Sequence, residues 1–140
     1  MRAAVYRRFG GPDTVRVADV PRPAVGPDDV LIRVHASTVS AADHRARSRE
    51  VPRGLGLLAA AGIGTLRPRR RVLGMDVAGV VEAVGANVAR FAPGDEVVAM
   101  LGAAFGGHAE YARIRSDGAI ALKPRAVSYT HLTLPTNREV

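Results

Sequence analysis

Residues 72–85 read VLGMDVAGVVEAVG, and this stretch decides the fold. It is the most apolar strand candidate in the chain, a run rich in β-branched valine. Gly74 and Gly79 interrupt the run, and glycine inside a strand marks a place where another backbone comes close. Upstream, DVLIRVHASTV (residues 29–39) puts Val30, Ile32, Val34 and Ala36 on one side of an alternating strand, with His35 on the other. Downstream, Pro93-Gly94-Asp95 makes a turn before a strand from Glu96 to Leu101. HAEYARIR (residues 108–115) alternates again, and Ser116-Asp117-Gly118 turns it toward AIAL (residues 119–122) as a strand pair.

Nearer the start, Val15 and Val17 alternate within residues 14–20 and predict a half-buried strand. PRPAVGPDD (residues 21–29) carries three prolines and reads as a connection, because proline cannot donate to a ladder. Twenty-four of the 140 residues are Gly or Pro, and many short alternating segments between turns point to a mainly β, antiparallel domain. Ser40-Ala41-Ala42-Asp43 has capping-box spacing, so a short helix is expected from Ala41 to about Arg47. Residues 48–71 form a long excursion, in which LGLLAAAG is apolar enough for a helical turn.

Composition narrows the chemistry. The chain holds no cysteine, which excludes disulfides and thiolate sites and leaves only His and carboxylates for any metal. The net charge of +7 is local: eight arginines against Glu50 lie between Arg45 and Arg71, and elsewhere twelve basic residues face twelve acidic ones. All basic residues but Lys123 are arginine, a compositional habit more than a phosphate-binding pattern. No apolar run reaches the roughly 18–20 residues of a membrane span, and MRAAVYRRFGG lacks the form of a signal peptide. The expectation is a cytoplasmic domain that binds neither membrane nor nucleic acid.

Five blocks in order, AAVYRRFGGPDTVRV, DDVLIRVHAS, VLGMDVAGVVEAVG, RFAPGDEV and GGHAEYA, resemble the N-terminal half of the medium-chain dehydrogenase/reductases. The resemblance covers residues 1–128. It implies a GroES-like, partly open β-barrel with short helices, forming the substrate-side wall of a cleft whose other wall is a Rossmann domain. That domain is not in this sequence. Gly54, Gly56, Gly62 and Gly64 superficially suggest a dinucleotide fingerprint, yet no apolar strand precedes them and no acidic partner follows at about twenty residues, so they read as loop. SYTHLTLPTNREV (residues 128–140) departs from the family's helix-forming text. Residues 129–140, with His131, read as a non-native tail that resembles translated adapter sequence.

The zinc-dependent branch has cysteine where Ser40 stands and a His-Glu pair where Met75-Asp76 stands; its four-cysteine lobe is absent too. Hydroxyl and thioether are poor zinc ligands, so the resemblance is to the zinc-independent quinone-reductase type. It implies hydride transfer from NADPH, held mainly by the missing domain, to a small quinone or conjugated carbonyl, with hydrogen-bond donors stabilising the developing oxyanion. It also implies a homo-oligomer at full length and an inactive 140-residue chain. Ser40 and Asp43 match cleft positions and are candidate cofactor contacts, although a capping box explains both. His44 follows on the same helix as a candidate proton donor near neutral pH; a solvated histidine is the simpler reading.

His35 and His108 read as half-exposed structural residues. Asp76 is expected to accept hydrogen bonds from neighbouring backbone, and Arg67, Arg69, Arg70 and Arg71 read as a solvated loop. Two rivals use the same barrel: a GroES-like co-chaperone, which would form a ring, and a basic nucleic-acid-binding barrel, which would need aromatic stacking positions. Aromatic residues make up only 4% of the chain, with no Trp.

Overall fold

A computed structural model describes residues 1–50, 54, 64 and 67–125. The apolar stretch of residues 29–39 falling beside VLGMDVAGVVEAVG builds its centre: β3 (Asp29–Ser37) runs antiparallel to β4 (Asp76–Val84). On the other side of β4 lies β5 (Glu96–Met100), and the edges are β6 (Tyr111–Arg115) beside β3 and β7 (Ile120–Leu122) beside β5. β1 (Arg2–Tyr6) and β2 (Val15–Asp19) pair as a separate ribbon. The ribbon is fastened through bridges from Ala3 to Ala109 and from Val5 to Val72. One helix, α1 (Ala41–Ser48), follows β3.

The apolar core lies on one face of this sheet, where Val30, Ile32, Val77, Val81, Val97 and Phe91 are all buried. Gly79 is obligatory at its centre: a Cβ there would lie 2.1 Å from the Arg33 carbonyl oxygen. A second, smaller core joins Tyr6, Ala46 and Leu73 with Phe9, Val15 and Phe105, and so packs the ribbon and α1 against the start of the β4 segment.

Two bulges bend the central pair. Leu31 pairs with Ala83 and Ile32 with Val81, leaving Glu82 extra on β4; Val34 pairs with Gly79 and Ala36 with Ala78, leaving His35 extra on β3. Bulges increase local twist, and the sheet curls accordingly. Its edge strands β6 and β7 are joined by only residues 116–119, closed by the Gly118 N–H on the Arg115 carbonyl at 3.0 Å. A flat five-stranded sheet would separate its edges by about 19 Å; five residue steps reach at most about 17 Å, and a turn shortens that. The edges therefore come round toward each other without pairing, which is the partly open barrel.

The structure alters three expectations. The Ser116-Asp117-Gly118 turn is present, but β6 and β7 lie at opposite edges instead of pairing as a hairpin, because each finds a longer partner, β3 and β5 respectively. Val17 is 75% exposed, since β2 pairs only with β1. The alternation of β3 holds through Val34, after which the bulge at His35 carries Ala36 to the opposite face and puts Ser37 level with Val77. Helix α1 runs from Ala41 to Ser48, as its capping box led us to expect, and ends on Arg49 in the left-handed region at φ 59°. The LGLLAAAG stretch, Gly56, Gly62 and residues 129–140 lie outside the described residues.

Candidate functional site

The C-terminal end of β3, the N-terminal end of β4 and the C-terminal end of β5 meet at one end of the sheet, because the three strands are antiparallel neighbours. Ser37-Thr38-Val39-Ser40 crosses this end on its way to α1. After the His35 bulge, Ser37 reaches the β4 backbone, donating its hydroxyl to the Asp76 carbonyl at 2.9 Å. The Thr38 hydroxyl donates to Asp76 Oδ2 at 2.9 Å. Asp76 thus accepts from a side chain across the strand pair, not from neighbouring backbone as its sequence context suggested; the bulge supplies the hydroxyl.

His108 completes this group. Its Nε2 lies 2.8 Å from the Thr38 carbonyl oxygen, and since a carbonyl only accepts, Nε2 carries the proton. The imidazole is seated by glycine. Gly74 has φ +93°, and a Cβ on it would fall 2.6 Å from the His108 nitrogen and 2.7 Å from its ring. Gly107 donates to the Gly74 carbonyl at 3.0 Å, and His108 to the Leu73 carbonyl at 2.9 Å. Just before them Phe105 holds φ 54°, ψ −164°, a conformation costly for any residue with a Cβ. Its ring, packed with Tyr6 and Leu73, anchors that turn.

Ser40 and Asp43 are brought together as a complete capping box. The Asp43 N–H donates to Ser40 Oγ at 3.4 Å, while the Ser40 N–H and hydroxyl donate to Asp43 Oδ2 at 2.8 and 2.9 Å. Asp43 does more than cap. It is 3% exposed, and its other oxygen accepts from the Gly74 N–H at 2.8 Å, tying α1 to the strand segment that carries Asp76. Burial pushes the nearby Tyr6 phenol up from its ordinary range, and the Asp43 charge adds to the rise.

The remaining candidates stand apart. His44 is exposed on the outer side of α1, its Nδ1 3.7 Å from a Glu50 carboxylate oxygen. His35 is exposed at the bulge. Arg67, Arg69, Arg70 and Arg71 are exposed before β4, with the Arg71 carbonyl accepting from the Tyr6 N–H at 2.9 Å. Among the described residues, no group of three or more His, Asp and Glu side chains is placed to hold a metal ion. None of their helices is long and apolar enough to cross a membrane.

Sequence reasoning missed the Thr38–Asp76–His108 group. Thr38 and His108 are 70 positions apart, and the only local hint was the Gly106-Gly107 pair before His108, small residues where backbones approach.

Comparison with known proteins adds the kinship. Residues 26–124 match the alcohol dehydrogenase GroES-like domain. The chain is 34% identical over 131 residues to the quinone oxidoreductase of Sus scrofa, covering 92% of this chain and 35% of that protein. It is 31% identical over 137 residues to the chloroplastic NADPH-dependent alkenal/one oxidoreductase of Arabidopsis thaliana, covering 92% of this chain and 32% of that protein. The quinone oxidoreductase of Pseudomonas syringae superposes with a TM-score of 0.74 at 27% identity, over 91% of this chain and 35% of that one. The chain spans about a third of the length of the curated relatives it matches.

Proposed function

The chain belongs to the alcohol dehydrogenase GroES-like domain family, and from that premise we propose that it is the substrate-side barrel of an oxidoreductase that uses NADPH, without zinc, to reduce a quinone or a conjugated carbonyl. The observation that carries this reading is the immobilised Thr38–Ser40 crossing at one end of the sheet, held by Asp76 and His108 on one side and Asp43 on the other. The acceptors follow the names of the relatives above, and NADPH follows the alkenal/one oxidoreductase.

NADPH, when bound by a nucleotide-binding domain outside this sequence, supplies the hydride. The chain's own part is positional. Ser40 and Asp43, retained as cleft-side candidates, hold the α1 terminus against Gly74; Asp76 and His108 hold Thr38, so an acceptor at this end of the sheet meets a backbone that need not reorganise. The donor set argues against zinc. The Ser40 hydroxyl is given to Asp43, both Asp43 oxygens are occupied, and Met75 offers only a thioether. His44, the weak proton-donor candidate of the sequence, stands apart from this end of the sheet on the exposed side of α1, and a His44→Gln variant with an unchanged pH profile returns it to the solvated reading.

The test compares residues 1–128 with the protein completed by its nucleotide-binding domain, reading NADPH binding by calorimetry and reduction of quinones and enals with and without a chelator. Binding and chelator-insensitive turnover are expected only of the completed protein. Tight NADPH binding by residues 1–128 alone overturns the division of labour, and loss of turnover on chelation overturns the zinc-free mechanism.

A further inference from the structure

Val39 is 87% exposed, yet the residues on both sides of it are fastened. Thr38 is held through its carbonyl by His108 and through its hydroxyl by Asp76. Ser40 is held through its N–H and its hydroxyl by Asp43. A β-branched side chain has few χ1 choices, so the fastened backbone narrows where this isopropyl group is presented. Single exposed apolar residues are ordinary on a protein surface. Val39 differs in lying between two hydrogen-bonded neighbours, Thr38 and Ser40, at the polar end of the sheet. A second exposed apolar side chain, Met100, pairs with Asp76 across β4 and β5 and so belongs to the same end. Small-molecule sites combine rigid apolar wall with a few fixed polar groups, and this end of the sheet holds both.

We infer that Val39 is a specificity-determining contact, its isopropyl group packing on the flat apolar face of the electron acceptor. This assignment rests on the oxidoreductase reading above. A fused-ring acceptor has a flat apolar face broad enough to cover the whole isopropyl group, which a single small ring covers only in part, so Val39 favours larger fused-ring acceptors over small ones. Being exposed and outside every hydrogen bond named for this end of the sheet, it can be changed without disturbing the Thr38 and Ser40 anchors.

The experiment uses the protein completed with its nucleotide-binding domain, assayed with benzoquinone and naphthoquinone, and compares wild type with Val39→Ala and the equally sized Val39→Thr. The expected result is a loss of about tenfold in kcat/KM for naphthoquinone in Val39→Ala, a smaller loss for benzoquinone, and an NADPH Kd unchanged within about twofold. Val39→Thr shows the same ordering, because its hydroxyl must be desolvated against the ring. Equal losses for both quinones with weakened NADPH binding place Val39 on the cofactor and overturn the inference. So does an active wild type whose variants keep its discrimination. A wild type that reduces enals but neither quinone overturns the inference alone, and one that reduces neither quinones nor enals overturns the oxidoreductase reading itself.

Discussion

The middle of the sheet and the corner where α1 meets Gly74 are neighbours held by different forces. In the middle, Val30, Ile32, Val77, Val81 and Val97 are buried among one another, and the close approach of β3 to β4 is made possible by Gly79. At the corner, one buried carboxylate accepts from Ser40 and from Gly74 beside the smaller core of Tyr6, Ala46 and Leu73, and these hydrogen bonds fix where α1 starts. Apolar burial is non-directional and resists small displacements collectively, whereas a hydrogen-bonded clamp sets geometry at a single point. The comparison teaches that the scaffold and the placement of the proposed cleft are separable, and that they should respond differently to substitution.

The largest effect is expected in the sheet. Ile32→Ala should cost about 4 kcal/mol, from lost burial and the cavity left behind, read as a shift in the denaturation midpoint. Gly79→Ala should cost roughly 3 kcal/mol, because its Cβ would meet the Arg33 carbonyl oxygen. In both variants hydrogen exchange should accelerate across the five-stranded sheet, since its core is one cluster.

Asp43→Ala should cost about 2 kcal/mol by leaving the buried Gly74 N–H without its acceptor. Here exchange should accelerate at Gly74 and in α1 while the β3 and β4 amides keep their protection; equal acceleration in the strands would break the distinction between the two regions. Ser40→Ala removes only the cap and should cost about 1 kcal/mol, confined to the first turn of α1.

The smallest effect lies outside both regions. The Arg2 backbone N–H and guanidinium hold the exposed Glu110 carboxyl below its ordinary range. A lowered folded-state pKa means that the contribution is complete above the ordinary glutamate range and is lost as pH falls through the folded value. Glu110→Gln should remove that acid-side dependence while leaving the neutral-pH denaturation midpoint nearly unchanged, because exposed pairs contribute little.

What could be read from the chain in advance follows this same division. The capping box was legible because Ser40 and Asp43 are three residues apart and need no other element to find each other. Close approach at Gly74 and Gly79 was legible because glycine inside a β-branched run has few other uses. The bulge at His35 was not, since the sequence alternates smoothly through it; the extra residue is created by the register β3 adopts on β4. The Thr38–Asp76–His108 group was invisible for the same reason, and so was the hydrogen bond from the Gly74 N–H to Asp43.

The sequence by itself determined the strands from β2 to β7, their turns, the start of α1 and the kinship carried by five ordered blocks, all of which depend on residues close together in the chain; β1 it did not show. Tertiary structure alone decided which face Ser37 and Thr38 present, that His108 donates to Thr38, and that the strands on either side of the Ser116-Asp117-Gly118 turn go to opposite edges. Those outcomes depend on register and on competition between strands for partners, and neither exists until distant segments have paired.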